Sequence, residues 1–323
     1  MTRTIAVADV GGTHARFALA EVEGGSVASI GEAMTLRTGD FESLESAWAE
    51  FGRKRAGALP DGLSLAVAGS VGGASINLTN SSWVIRPARI SQQLGVEQFT
   101  LVNDFGAVAH AVAQLGPDCF VHCGGPDSPL PDIGGITVIG PGTGLGVAQL
   151  HRAEGGYHVV ETEGGHIGFA PLDALEDQLL VILRQRFGRV SAERIVSGPG
   201  LANLYRAMAA IERREASSLE DEATWKAALA GSDPLAVRAL NRFFLSFGAV
   251  AGDLALAHGS QAVVIAGGLG YRLRHLLEAS GFRERFVAKG RFREAAEAIS
   301  VKLLDHPQPG LYGAAAAFAK EHQ

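Results

Sequence analysis

At 323 residues the chain is long enough for two domains, each with its own core, and its 47% hydrophobic and 19% charged residues exclude a disordered chain. A net charge of -6, from 28 basic against 34 acidic residues, gives no positive field for nucleic acid or anionic lipid, so small polar ligands are the expected partners. Cys119 and Cys123 are too few for a disulfide framework or a structural zinc site and read as reduced thiols of a cytoplasmic protein; no signal-peptide pattern opens the chain, and no uncharged apolar stretch is long enough to span a membrane.

Ile5 to Asp9 reads as a short apolar strand that breaks at Val10-Gly11-Gly12-Thr13 and resumes from Arg16 to Val22, a β-hairpin with a glycine turn. Gly11 and Gly12 let the backbone aim its N–H groups at an anion, and Thr13 adds a hydroxyl donor; the alternative is a plain hairpin turn. Asp9, at the strand end, is suited to hold magnesium through water. Phe41 to Arg53 carries Phe41, Leu44, Trp48 and Phe51 at helical spacing and predicts an amphipathic helix with its aromatics in the core. Leu63 to Gly69 is a further strand, and Asn77 to Trp83 a polar loop in which Asn80 is either a donor to a sugar hydroxyl or an ordinary turn former.

Phe99 to Val102 is a buried strand stopped by Asn103-Asp104 before a helix running to about Leu115. The crevice outside the carboxyl ends of strands is where open α/β sheets bind ligands, so Asp104 stands where a general base meets a substrate hydroxyl; the competing reading makes it the cap of the helix. Gly116-Pro117 marks a boundary, and the expected organisation is a small α/β domain of residues 1–115 plus 306–323 and a large one of residues 116–305. A Pro/Gly-rich link from Gly124 to Pro131 leads to the strand Ile136–Ile139 and a second glycine hairpin, Gly140 to Gly146, with Thr143 matching Thr13 and Gly142 beside it. Two copies of one phosphate-binding unit are expected to grip a single nucleotide across a cleft.

Glu163-Gly164-Gly165-His166 sets a carboxylate and an imidazole about flexible glycines; the glycine pair argues against the helix that a zinc-binding Glu-x-x-His would need. His166 is a hydrogen-bonding partner for a ligand or a satisfied structural residue. Leu175 to Phe187 is a helix ending at Gly188, Ser191 is a candidate cap with Glu193 complementing the helix dipole, and another helix begins near Leu201. Asp233-Pro234 starts a largely buried helix to His258. Ala262 to Ala266 is a buried strand whose Gly267-Gly268 corner admits a base or ribose, with a helix opening at Tyr271. The basic cluster from Arg283 to Arg293 reads as a solvated face, and the last strand, Ser300 to Leu304, precedes an alanine-rich terminal helix.

These motifs together resemble bacterial-type glucokinases of the hexokinase, actin and Hsp70 superfamily of sugar kinases. The resemblance spans nearly the whole chain: DVGGTHARFAL from Asp9, LTNSSW from Leu78, VNDF from Val102, GPGTGLGVA from Gly140, EGGH from Glu163, SAERIVSGPGLANLYRA from Ser191, IAGG from Ile265 and PGLYGAAA from Pro309. It implies an α/β, two-lobed actin-like ATPase fold, a duplicated ribonuclease H-like architecture with a cleft between lobes, and transfer of the ATP γ-phosphoryl group to the 6-hydroxyl of glucose. By the same resemblance Asp104 is the base; Asn103, Glu163, His166 and Glu193 bind glucose; Asp9, Gly11, Gly12, Thr13, Gly142 and Thr143 address magnesium and phosphates; Gly267-Gly268 the adenosine; and a homodimer is implied. His14 stands where many relatives have Asn. The missing cysteine-rich zinc motif points away from the repressor branch, as does the missing N-terminal helix-turn-helix. The rivals are another hexose kinase, acting on fructose or N-acetylmannosamine, and a non-enzymatic nucleotide or sugar sensor, against which the polar acceptor set argues.

Overall fold

The computed structural model describes residues 1–55, 57–78, 81–214 and 221–323, and the chain divides into two compact units. The first comprises Met1–Gly116, Tyr157–Glu161 and His306–Gln323, and the second Pro117–Gly156 and Thr162–Asp305. Residues 157–161, which the sequence grouped with the large domain, thus associate with the first unit.

In the first unit the apolar alternation of the N-terminal segment builds β1 (Arg3–Val10) and β2 (His14–Glu23), an antiparallel hairpin closed by the pair Val10 and Ala15. β3 (Ser26–Ile30) and β4 (Met34–Arg37) both pair with β2. Helix α1 (Leu44–Arg55) buries Trp48 and Phe51 against Phe17, with the Phe17 and Phe51 rings stacked at 5.3 Å. Burial of rings of this size is worth roughly 1.5–3 kcal/mol each, and the Trp48 indole N–H donates to the Leu94 carbonyl at 3.0 Å. β5 (Gly62–Val67) lies parallel to β1. A two-residue hairpin of β6 (Ile76–Asn77) and β7 (Val84–Ile85) and helix α2 (Ile90–Leu94) lead to β8 (Gln98–Asn103), parallel to β5, and directly to α3 (Asp104–Gln114). The segment expected to be a polar loop is anchored at both ends, since Leu78 and Trp83 are buried.

The second unit repeats this plan. β9 (Phe120–Gly124) comes first, then the hairpin β10 (Gly134–Pro141) and β11 (Leu145–Ala153), and β12 (Gly156–Thr162). Four helices follow, α4 (Ala174–Phe187), α5 (Gly198–Ile211), α6 (Asp221–Leu229) and α7 (Pro234–Ala257). They are succeeded by β13 (Ser260–Ile265), α8 (Gly267–Leu277), α9 (Phe282–Val287), α10 (Arg293–Glu297) and β14 (Ser300–Leu304). The two sheets run β3-β2-β1-β5-β8 and β12-β11-β10-β13-β14-β9, so five positions correspond strand for strand, with two parallel strands following each hairpin. The terminal helix α11 (Pro309–Glu321) returns to the first unit, where Leu311, Ala314, Ala315 and Phe318 join Ile5, Val7 and Val102 in one apolar cluster. Alanines and Gly313 let α11 approach α3 closely, the Gly313 Cα facing the Ala107 carbonyl.

Several local expectations are revised. α5 starts at Gly198 rather than near Leu201 because Ser197 caps it, accepting from the Gly200 N–H at 3.2 Å. α8 starts at Gly267 rather than Tyr271, since Gly267 supplies a left-handed φ of 84° at the strand-to-helix corner. The basic cluster is only partly a solvated face. Arg285 is largely buried and paired with Asp173, and the buried Lys289 ammonium lies 2.6 Å from Asp253 and donates to the Ala249 carbonyl at 2.8 Å. α7 is the one helix among the described residues long and apolar enough to cross a membrane, and 72% of its most apolar window is buried in the core of the second unit.

Candidate active site

In the first unit, the carboxyl ends of β1, β5 and β8 meet at one edge of the sheet. Asn103, the last residue of β8, is the N-cap of α3: its Oδ1 accepts from the N–H groups of Phe105 at 2.9 Å and Gly106 at 3.1 Å. Its Nδ2 donates to the Gly69 carbonyl at 3.0 Å, which the left-handed Gly69 (φ 117°) presents from the end of β5. Asn103 is therefore the cap that the sequence also allowed Asp104 to be. Asp104 is the first residue of the helix and half-buried, and its Oδ1 accepts from the Phe105 N–H at 2.9 Å.

Beside this corner, the turn from Gly11 to Thr13 is braced from behind. The Thr38 hydroxyl donates to the Gly12 carbonyl at 2.7 Å and the Thr38 N–H to the Thr13 carbonyl at 3.1 Å, while the Gly11 N–H closes the turn on the His14 carbonyl at 2.9 Å. Asp9 is paired across the hairpin with Arg16, Oδ2 to Nη1 at 3.1 Å. Burial pushes the Asp9 carboxyl above its ordinary range, and the Arg16 guanidinium pulls it back. A single carboxylate of this kind suits magnesium, which keeps several waters and takes its remaining ligands from phosphates. Among the described residues no group of three or more His, Cys, Asp or Glu side chains is gathered for a metal.

The second unit places Gly142, Thr143 and Gly144 in the turn between β10 and β11, with the Gly142 carbonyl accepting from the Gly198 N–H at 2.7 Å. The duplication is not residue for residue: four residues separate the last paired positions of the first hairpin and three those of the second. Nor do these glycines serve a left-handed turn, as Gly11, Gly12, Gly142 and Gly144 all lie outside that region. What Gly142 provides is space, since a Cβ there would meet nothing within 4 Å. Gly267 and Gly268 open α8 at the adjacent parallel strand end, where no side chain caps the amides. Next to this turn lies a cavity of 460 Å³ lined by Gly142, Thr143, Gly198, Trp225, Leu269 and Leu273, a volume within the range of small-molecule sites. The Trp225 indole N–H is held by the Gly198 carbonyl at 2.7 Å, fixing one wall.

Glu163, His166 and Glu193 are brought together. His166 Nε2 lies 3.9 Å from Glu163 Oε2 and 4.0 Å from Glu193 Oε2, too far for direct bonds and suited to a bridging hydroxyl or water. Gly164 to His166 form a single 3₁₀ turn. Its glycines are required by contact and not by flexibility: the Gly165 Cα packs onto the Leu145 carbonyl and Gly164 onto Val147. Glu193 lies in the first turn of a 3₁₀ segment, Ala192–Arg194, whose preceding Ser191 side chain makes no capping bond, and its Oε2 accepts from the Leu145 N–H at 3.0 Å. Asn80 lies outside the described residues. Sequence reasoning passed over Arg16, Trp225 and Glu161, whose Oε1 accepts from the Asn103 N–H at 2.7 Å.

A family model for Glucokinase matches residues 6–321. The chain is 55% identical over 318 residues to a glucokinase of Zymomonas mobilis, covering 98% of both chains. The crystal structure of a glucokinase from an Antarctic psychrotroph superposes with a TM-score of 0.84 at 35% identity, covering 97% of this chain and 98% of that one. A ROK family glucokinase from Streptomyces griseus, solved with glucose and AMPPNP, shares the actin-like ATPase fold at 20% identity and a TM-score of 0.61, over 97% and 98% of the two chains. Both the matching family model and the relatives run essentially end to end, and the chain belongs to the glucokinase family.

Proposed function

We propose that Asp104 is the general base in the ATP-dependent phosphorylation of glucose that family membership assigns to this enzyme. The carrying observation is the division of labour at the end of β8: Asn103 caps α3, so the adjacent carboxylate is not needed to start the helix. As the glucose 6-hydroxyl oxygen bonds to the γ-phosphorus, the bond from that phosphorus to the β,γ-bridging oxygen breaks, ADP leaves, and the hydroxyl proton passes to Asp104. Glu163 and Glu193 accept from sugar hydroxyls, His166 hydrogen-bonds another, and Asn103 donates through the second hydrogen of Nδ2. A sugar lacking one of these hydroxyls covers its partner without pairing it, which is the basis of selectivity.

The phosphates are held by the Gly12 amide with Thr13 in the turn that Gly11 closes, and by Thr143 in the turn that Gly142 closes, the Gly11 and Gly142 N–H groups donating to the His14 and Gly144 carbonyls. Gly267 and Gly268, with the cavity walled by Trp225, take the adenosine. Asp9, whose carboxylate Arg16 shares, would hold a magnesium ion, which would supply charge neutralisation on the triphosphate. The enzyme acts in the cytoplasm as a homodimer, the latter checked by light scattering on the eluted peak.

A coupled assay for glucose 6-phosphate tests the reading. Asp104→Ala is expected to abolish turnover, and near-parental turnover removes the base assignment. Glu193→Gln is expected to weaken discrimination between glucose and mannose. Fructose or N-acetylmannosamine turned over faster than glucose makes this a different hexose kinase.

A further inference from the structure

We infer that Glu161 is a positioning residue for the phosphoryl-acceptor corner: its carboxylate, seated in the space that Gly106 leaves over the first turn of α3, fixes the backbone that aims Asp104. The inference rests on Asp104 acting as the base.

Glu161 belongs to the short segment Tyr157–Glu161 that joins the first unit. Its Oε1 accepts from the Asn103 N–H at 2.7 Å, the length of a charge-assisted bond. Asn103 is thereby held at three polar atoms, by Glu161 at its N–H, by Gly69 at Nδ2, and by Phe105 and Gly106 at Oδ1. Of these tethers only Glu161 comes from a distant stretch of sequence as a side chain, so it can be removed without altering either Asn103 or Asp104. The carboxylate also stands at the amino end of α3, where helix geometry favours negative charge.

A second observation points to the same arrangement. A Cβ built on Gly106 would have Glu161 for its three nearest neighbours, Oε1 at 2.5 Å, Cγ at 2.8 Å and Cδ at 3.0 Å. Gly106 has no left-handed φ, so a side chain there acts through space alone, and the Glu161 carboxylate would have to shift to admit it. A bond between the buried cap and a carboxylate costs something to form: burial raises the Glu161 carboxyl above its ordinary range, and the Asn103 N–H brings it part of the way back. Placement matters because a misplacement of roughly 1 Å at the reacting group can cost on the order of a hundredfold in rate.

The test is a set of variants assayed with glucose and ATP, reading kcat, both KM values and the thermal midpoint. Glu161→Ala is expected to lower kcat by about ten- to a hundredfold with both KM values within about threefold. Glu161→Gln, whose amide oxygen accepts the same bond, is expected to retain more than about a third of kcat. Gly106→Ala should match Glu161→Ala, and combining the two should cost no more than either, because the displaced group is already gone. Should Glu161→Ala fail to fold, Gly106→Ala and Glu161→Gln carry the comparison. Parental kcat in Glu161→Ala or Gly106→Ala, or a loss in Glu161→Gln as deep as in Glu161→Ala, overturns the inference. Asp104→Ala run alongside separates the two failures. If it abolishes turnover while Glu161→Ala does not lower it, only the inference falls; if it keeps turnover, the base assignment falls and takes the inference with it.

Discussion

Gly144→Ala is expected to damage sugar recognition while leaving the protein folded. The Gly144 backbone is already in a region open to any residue, so the substitution acts through space alone. A Cβ there would stand inside the van der Waals shell of Glu193 Oε2 and 3.2 Å from its Cδ. The flexible carboxylate can move away, but it must retreat by roughly 1 Å, and the 3.0 Å bond it accepts from the Leu145 N–H then passes out of range. A hydrogen bond to a charged group contributes about 1.5–3 kcal/mol, or about ten- to 150-fold in an equilibrium or rate ratio. The expected result is a loss of kcat/KM for glucose of that order, with KM for ATP within about threefold and a thermal midpoint near the parent's. Steady-state kinetics at saturating ATP, beside a melting curve, decide it. Parental kcat/KM for glucose in a correctly folded variant would refute the argument that the Leu145 tether sets the Glu193 position.

Burial, with the Lys320 and His158 charges, lowers the His110 imidazole from 6.5 to about 4, and its Nδ1 lies 3.0 Å from the Tyr157 hydroxyl. The unfolded chain then takes up that proton first as pH falls from 6.5 towards 4, so stability is lost in that window. Between pH 7 and 5 the parent should lose about 2 kcal/mol more than His110→Gln in urea titrations, and parallel curves would dismiss the account. Gly313→Ala forces a methyl group against the Ala107 carbonyl and parts α11 from α3. A destabilisation of about 2 kcal/mol or more is expected, outweighing the helical preference of alanine, and an unchanged midpoint counts against this packing. Trp48 and Trp83 are buried in the first unit, so an emission change on ATP titration should come from Trp225 and vanish in Trp225→Phe; a change that survives there places the adenosine elsewhere.

The features legible in the sequence were those whose signals are local. The apolar run that stops at Asn103-Asp104 marks the end of β8 and the start of α3 within a residue. Asp233-Pro234 marks the start of α7 equally well, since cap and first-turn chemistry act between neighbours. What was hidden depends on partners far along the chain. β9 and β12 sit at the two edges of the second sheet, with short and largely exposed patterns, and only pairing makes them strands. Arg285 carries the charge of a surface residue, and nothing near it in sequence reveals that Asp173, over a hundred positions earlier, is its counter-ion. Glu161 was overshadowed by Glu163 two residues on, because an acidic residue beside a glycine pair looks like a ligand and one in a half-exposed strand does not. The glycines were located correctly for a reason only half right: Gly267 does adopt a left-handed φ, while Gly144 and Gly165 make room for Glu193 and the Leu145 carbonyl.

The first unit is assembled from three separated stretches, with α11 translated only after the whole of the second unit. On the ribosome, β1, β5 and β8 emerge long before the helix that covers Ile5, Val7 and Val102, whereas the second unit needs nothing beyond Asp305. The later part of the polypeptide therefore matures ahead of the earlier part. The nascent amino-terminal sheet waits with an uncovered apolar face, the stage at which chaperones and loss to aggregation act on the newborn chain.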